Sequence, residues 1–167
     1  NAIPDKIYIS LKDMRILTKV DMLMLEMLAN CNWERPLYMA ISVGEVSKLK
    51  FDHYFVQEGL AFRFTPFDYK KWGNVKGDNN YAIDVERLYE NVMNRYKYGG
   101  LDTPGLYLDE TTLRTCYYHR RLFAQLAKEL IRQGDNTRAR KVLTYAEQAV
   151  PAYNVPEIYE SGSFDIA

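Results

Sequence analysis

The chain has 167 residues, 47% hydrophobic and 26% charged, a composition typical of a globular protein that buries a core without a disulfide or a metal. Its 22 basic and 22 acidic residues give a formal net charge of zero, which argues against a nucleic-acid partner because such partners select a basic surface. No apolar stretch approaches the roughly 20 residues of a membrane-spanning helix, and no signal-peptide pattern follows Asn1.

Three segments of the first 66 residues predict short β-strands. Residues 7–11, 37–43 and 60–64 each alternate large apolar side chains with other residues, as half-buried strands do. Helical segments separate these strands, and an alternation of strands and helices indicates crossover connections. The sequence therefore predicts a small α/β subdomain at residues 1–66, with parallel strand pairs.

Two helices are predicted between these strands. Residues 18–31 begin with Thr18 and Asp21 at the spacing of a capping box. The apolar face expected for this helix consists of Val20, Leu23, Met24, Met27, Leu28 and Cys31. Residues 47–57 predict the second helix, with Gly59 at its left-handed C-terminal position.

A loop rich in Gly and Asn at residues 67–81 predicts a domain boundary,. Beyond it the apolar period becomes helical, and residues 82–151 predict a helical subdomain, followed by an irregular tail at 152–167. We expect an α+β chain, with the sheet in the N-terminal half and an α-helical hairpin in the C-terminal half.

The last two predicted helices, residues 111–133 and 136–150, carry a pattern typical of a tetratricopeptide (TPR) unit. Such a unit sets small residues where two helices cross and larger residues beside them. The pattern consists of Phe123, Leu126, Ala127, Leu130, Ala139, Leu143, Ala146 and the closing Pro151. The open alternative is any antiparallel helical hairpin with alanine at its crossing.

No catalytic, metal or cofactor site is predicted. Cys116 and His119 share one helical face, but a zinc site needs three or four ligands, and whether Cys31 and Cys116 pair stays open. Glu58 and Asp109 are the carboxylates that a small hydrolase would use, although Asp109 is more simply the N-cap of the following helix.

Two short clusters are the candidate binding site. Residues 32–38 (NWERPLY) lead into one predicted strand, and residues 58–63 (EGLAFR) enter another. If the two strands pair, one rim would collect Trp33, Arg35, Tyr38, Glu58 and Arg63. An Arg–carboxylate pair there is either structural or a receptor for a carboxylate or for sugar hydroxyls.

These clusters resemble a known family. Residues 32–38 and 54–63, followed in order by 89–96, 107–110 and 123–127, are similar to the C-terminal soluble region of Bacteroidetes multi-spanning membrane proteins. That family, of unknown function, is related to protein O-mannosyltransferases. The resemblance covers most of the chain.

The resemblance implies that the parent protein is a glycosyltransferase of the lipid-linked-sugar type, with its catalytic residues in an N-terminal membrane-spanning part. This chain would be its non-catalytic tail at the periplasmic face of the bacterial inner membrane. Its expected partners are the membrane part of the same polypeptide and an acceptor protein or glycan. The alternatives are a free-standing periplasmic TPR-like protein in carbohydrate handling and a small carboxylate-based hydrolase.

Overall fold

A computed structural model describes most of the chain, at residues 6–12, 15–43, 49, 51–69 and 81–156. Strands occur in the N-terminal half and a helical hairpin at the C-terminal end, which confirms the α+β fold class. The chain divides into two units, which we name the sheet unit (Asn1–Asp84) and the helical unit (Val85–Ala167).

The sheet unit contains a four-stranded sheet of order β1-β3-β2-β4. The strands are β1 (Tyr38–Ala40), β2 (Phe55–Gln57), β3 (Ala61–Phe64) and β4 (Ala82–Ile83). β1 and β2 both pair antiparallel with β3, whereas β4 pairs parallel with β2. Only the last of these pairings is parallel, because β2 returns into β3 through a tight hairpin instead of a helical crossover.

The helix predicted at residues 47–57 is wrong over its described part. Asp52–Tyr54 forms one 3-10 turn, and the next three residues form β2. All three β2 residues are buried, so the strand shows no alternation that would distinguish it from a buried helix. Gly59, with φ of +151°, lies in the β2–β3 turn and not at a helix end; residues 44–48 lie outside the described residues.

The strand predicted at residues 7–11 is also wrong. Ile7 and Ile9 are half-buried, whereas Tyr8 and Ser10, which follow them, are exposed. The alternation of apolar residues therefore reflects alternating burial of the side chains and not a strand. Within the described part of the chain this segment has no place in the sheet. A hydrogen bond of 3.3 Å from the Tyr54 hydroxyl to the Tyr8 carbonyl connects this segment to the rest of the sheet unit.

The capping box predicted for the first helix is confirmed. α1 spans Lys19–Asn30. The Thr18 hydroxyl accepts a hydrogen bond from the Asp21 N–H at 3.2 Å, and the Asp21 carboxylate accepts one from the Thr18 N–H at 2.8 Å. Both N-terminal donors are thereby satisfied, which fixes where α1 begins.

α1 buries a narrower face than its apolar pattern predicts. Its side chains packed against the core of the sheet unit are Met24, Leu25 and Leu28. Val20, Leu23 and Met27, which were expected on the same face, are 40%, 63% and 59% exposed. An apolar period of three and four residues therefore overstates the buried width of this helix.

The core of the sheet unit is mostly aromatic. Its buried members, which we call the aromatic core, are Leu49, Phe51, Tyr54, Phe55, Phe62 and Phe64. Phe64 is central: its ring centroid lies 5.4 Å from that of Phe55 and 5.7 Å from that of Trp33. Because Phe62 and Phe64 alternate with Arg63 on β3, this core fixes which face of β3 carries the arginine.

Over its described residues, 85–156, the helical unit has four helical elements. They are α2 (Val85–Glu90), a π-helical turn (Asn91–Arg95), α3 (Glu110–Arg132) and α4 (Asn136–Ala149). α3 and α4 form the predicted hairpin, and the first and last residues of both helices agree with the predicted bounds within one residue. Gly134, with φ of +83°, makes the turn between them.

The positions of the TPR-like pattern lie in the core of this hairpin. Buried among them are Phe123, Leu126, Ala127, Leu130, Ala139, Ala146 and Pro151. Leu143 is only half-buried, and the neighbouring Val142 is fully buried. The pattern thus located the packed faces of α3 and α4, while the TPR-like assignment itself stays a prediction.

Parts of the predicted loop and tail, residues 70–80 and 157–167, lie outside the described residues. β4 (Ala82–Ile83) lies inside the stretch predicted to be helical, and its pairing with β2 adds it to the sheet. Among the described residues, no helix has both the length and the apolarity to cross a membrane.

Candidate functional site

The β2–β3 hairpin joins Glu58 to Arg63. The Glu58 N–H donates to the Ala61 carbonyl at 3.1 Å and closes the turn. Arg63 Nε then lies 2.5 Å from Glu58 Oε1, although its N–H is not aimed for a hydrogen bond, so the contact is an ion pair. Glu58 is only 6% exposed, and a carboxylate so far removed from water requires a compensating charge.

Tyr38 completes this arrangement from β1. It lies opposite Arg63 in the β1–β3 ladder, and its hydroxyl donates to Glu58 Oε2 at 3.2 Å. Each carboxylate oxygen of Glu58 therefore has a partner. We call Tyr38, Glu58 and Arg63 the hairpin cluster, and its most exposed member is Tyr38 at 52%.

Trp33 and Arg35 take no part in the polar contacts of the hairpin cluster. Trp33 stacks on Phe64 with ring planes 7° apart, so its role is packing. It follows Asn32 in a turn where both residues have positive φ, +46° and +60°, which is uncommon for bulky side chains. Arg35 is exposed and makes no hydrogen bond or ion pair to the residues that the structure describes; the structure thus joins three of the five predicted residues.

In the helical unit Cys116 is buried and His119 is half-buried. Burial raises the pKa of the Cys116 thiol and lowers the pKa of His119. The His119 ring lies edge-on to Tyr98 at 5.2 Å, and its buried Nδ1 has no hydrogen-bond partner among the described residues. In that part of the chain no three His, Cys, Asp or Glu residues are grouped as metal ligands, and both cysteines are free.

Asp109 is the N-cap of α3, as predicted. It accepts hydrogen bonds from the N–H groups of Thr111 and Thr112 and from the Thr112 hydroxyl. These bonds, of which the Thr112 hydroxyl contributes most, lower the pKa of Asp109. The Asp109 carboxylate therefore already accepts hydrogen bonds in the cap of α3. It is poorly suited to general-acid catalysis, which needs a raised pKa.

Tyr98 and Tyr145 were not predicted to be functional. Their rings meet edge-to-face at 6.0 Å, and both residues line a groove in the helical unit. The sequence contained one usable signal, the Gly99–Gly100 pair directly after Tyr98, because adjacent glycines mark a turn that can open a surface.

A comparison with known protein families gives a match for the first half of the chain. Residues 1–86, more than half of the 167, match the family described as TMEM260-associated domain 2. The matched residues include all five predicted site residues, and no curated protein or solved structure matches the chain. The match supports a domain of a TMEM260-like membrane protein, while the Bacteroidetes origin and the TPR-like ending stay predictions.

We predict that Arg63→Met lowers the free energy of unfolding by about 2 kcal/mol, because it leaves the Glu58 carboxylate buried without its cation. Chemical denaturation followed by circular dichroism measures the change. The double variant Glu58→Gln/Arg63→Met should recover part of the loss, since it removes the buried charge as well.

The exposed pair Arg114–Glu110 on α3 provides the matched control. Its nitrogen and oxygen are 3.2 Å apart, but both side chains are largely in water, so Arg114→Met should change stability by less than about 0.5 kcal/mol. If Arg63→Met and Arg114→Met lower the free energy of unfolding by the same amount, the Glu58–Arg63 pair contributes no more to stability than an exposed ion pair does.

We also predict a pH dependence from His119. Its folded pKa lies below the ordinary 6.5, so below that pH the unfolded state binds a proton that the folded state does not. Stability should decrease as pH falls from 6.5 toward the lowered folded pKa and then level off. Denaturation of His119→Phe between about pH 7 and pH 5 should show a smaller slope than the parent chain; identical slopes would contradict the neutral, buried assignment.

Proposed function

The chain belongs to the TMEM260-associated domain 2 family, and we propose that it is a non-catalytic tail domain of a TMEM260-like membrane protein. In this proposal the parent is a glycosyltransferase of the lipid-linked-sugar type with its chemistry in an N-terminal membrane-spanning part. The tail faces the periplasm of a bacterial inner membrane and acts as a scaffold or as a binding module for an acceptor. The family match at residues 1–86 carries the proposal.

The state of the two candidate carboxylates supports a binding role over catalysis. Glu58 is paired with Arg63 and accepts from Tyr38. Asp109 holds the first turn of α3. A hydrolase needs one carboxylic acid to donate a proton and a second group to act as base or nucleophile, whereas each of these carboxylates has a structural partner.

The position of the hairpin cluster supports binding of an extended polypeptide. Among the strands that the structure describes, β1 lies at an edge of the sheet, and extended segments bind proteins by adding a strand beside such an edge. Tyr38 lies on β1 with half of its surface exposed. An acceptor segment beside β1 would therefore meet the Tyr38 ring, with the Arg63 guanidinium on the next strand.

One observation favours the alternative, a free-standing periplasmic TPR-like protein in carbohydrate handling. Ala127, Ala139 and Ala146 are buried in the α3–α4 hairpin, where small residues let two helices approach closely. This alternative differs from the proposal in the size of the native polypeptide.

We predict that the isolated chain binds an unfolded polypeptide weakly. The probe is a fluorescently labelled, reduced and carboxymethylated model protein, and the readout is fluorescence anisotropy. Tyr38→Ala should weaken binding by roughly fivefold or more, the effect of losing a contact residue at the centre of an interface.

Arg35→Ala is the matched control, because Arg35 was predicted for the same site but lies outside the hairpin cluster. Its affinity should equal that of the parent chain. Equal weakening by both variants would indicate a nonspecific surface, and sugar transfer or hydrolysis by the isolated chain would contradict the non-catalytic assignment.

A further inference from the structure

The helical unit carries a groove of about 510 Å³. Two chain segments line it, and we call them its two sides. The first consists of Met93, Asn94, residues 96–100 and Asp102, and the second of Tyr145, Gln148 and Ala149 near the C-terminal end of α4. This volume lies within the range of roughly 300–1,000 Å³ that small-molecule sites occupy.

An irregular backbone shapes the first side of the groove. The π-helical turn Asn91–Arg95 ends where the Tyr96 N–H donates to the Asn91 carbonyl at 2.8 Å, and π-helical turns are rare and frequent at functional sites. Gly99 and Gly100 follow with φ of +63° and +76°, which L side chains adopt only with strain. The chain thus opens the groove with two unusual conformations in succession.

The end of the described chain holds this side in place. The Asn154 amide donates to the carbonyls of Leu101 and Thr103 at 2.7 and 2.6 Å, and the Tyr153 hydroxyl donates to the Asp102 carbonyl at 2.5 Å. A wall fixed before binding lowers the entropy lost when a ligand binds.

Two aromatic rings give the groove an apolar surface. Tyr98 and Tyr145 pack edge-to-face, with Phe123 against both. The Tyr98 hydroxyl is used within the unit, since it donates to the Val92 carbonyl at 2.6 Å. Tyr98 is therefore available mainly through its ring, a flat apolar body suited to the C–H face of a ligand.

Polar side chains surround these rings without a net charge. Gln148 carries an amide that donates and accepts, Lys97 donates and Asp102 accepts,. The Asn94 amide already donates to Glu90 Oε2 at 2.5 Å. Lys97 and Gln148 are exposed and make no hydrogen bond to the described residues. The one cation and one anion of the lining offset each other, so the groove favours a neutral ligand rich in hydroxyl groups over a phosphate or a carboxylate.

We propose that this groove binds a neutral carbohydrate of one or two sugar residues. The C–H face of a sugar ring lies on one of the two tyrosine rings, Tyr98 or Tyr145, whose planes are 73° apart. The hydroxyl groups of the sugar meet the polar side chains of the rim. The inference does not rest on the proposed function, because the groove lies beyond residue 86, where the family match ends.

The test is a titration of the ¹⁵N-labelled chain with maltose, cellobiose, lactose and mannobiose, followed by NMR. At least one disaccharide should shift the amide signals of residues 93–100 and 145–149 in a saturable manner. Tyr145→Leu, which keeps an apolar side chain but loses the flat ring, should weaken binding roughly five- to tenfold. Gln148→Ala should weaken it roughly threefold.

Tyr107→Leu is the control, because Tyr107 is 88% exposed and lies outside the groove, and it should bind as the parent chain does. If Tyr145→Leu fails to fold, the affinities of Gln148→Ala and Lys97→Ala test the proposal instead, since both side chains are exposed and their loss should leave the fold intact. The proposal is overturned if no disaccharide gives saturable shifts or if the groove variants bind as the parent does. Groove shifts with octaproline and none with sugars would overturn it in favour of a peptide site.

Discussion

The ion pair between Glu58 and Arg63 constrains how the β2–β3 hairpin of the sheet unit forms. A carboxylate with 6% of its surface exposed is tolerated only beside a cation, so β2 and β3 must meet in the register that brings Arg63 back to Glu58. A slip of one residue would turn Arg63 into the aromatic core and Phe62 and Phe64 out of it. Charge compensation and aromatic packing therefore specify the same hairpin.

In the helical unit, a buried arginine fixes the position of the chain at the end of α4. Arg120 is 2% exposed, and its guanidinium donates to the Val150 carbonyl through Nε and Nη2. This contact fixes the chain where α4 ends, only a few residues beyond Tyr145 and Gln148. The groove thus borders a helix end that a buried arginine holds, while Asn154 and Tyr153 hold the opposite wall.

Sequence patterns located the elements whose signals are local and strong. The capping box of Thr18 and Asp21 gave the start of α1, and the alanine pattern gave the α3–α4 hairpin, because cap chemistry and helical period act within a few residues. β2 was mistaken for a helix since all of its residues are buried, and β4 is too short to show any period. β4 also depends on a pairing partner, β2, that is distant in sequence.

The candidate site was predicted in part for the same reason. Tyr38, Glu58 and Arg63 were found because neighbouring strands bring their side chains to one rim. Arg35 makes no polar contact with the residues of that cluster. It follows a turn with positive φ angles at Asn32 and Trp33, which no apolar period in the sequence reveals. The groove was missed because its walls come from a π-helical turn and paired glycines, which break the helical period that sequence analysis follows.

The central claim is that this chain works as part of a larger membrane protein. An immunoblot of fractionated native cells, with an antibody raised against this domain, tests it most directly. The account predicts a band several times larger than 19.6 kDa in the inner-membrane fraction. A band near 19.6 kDa in the soluble periplasmic fraction would contradict it and would favour a protein that works alone.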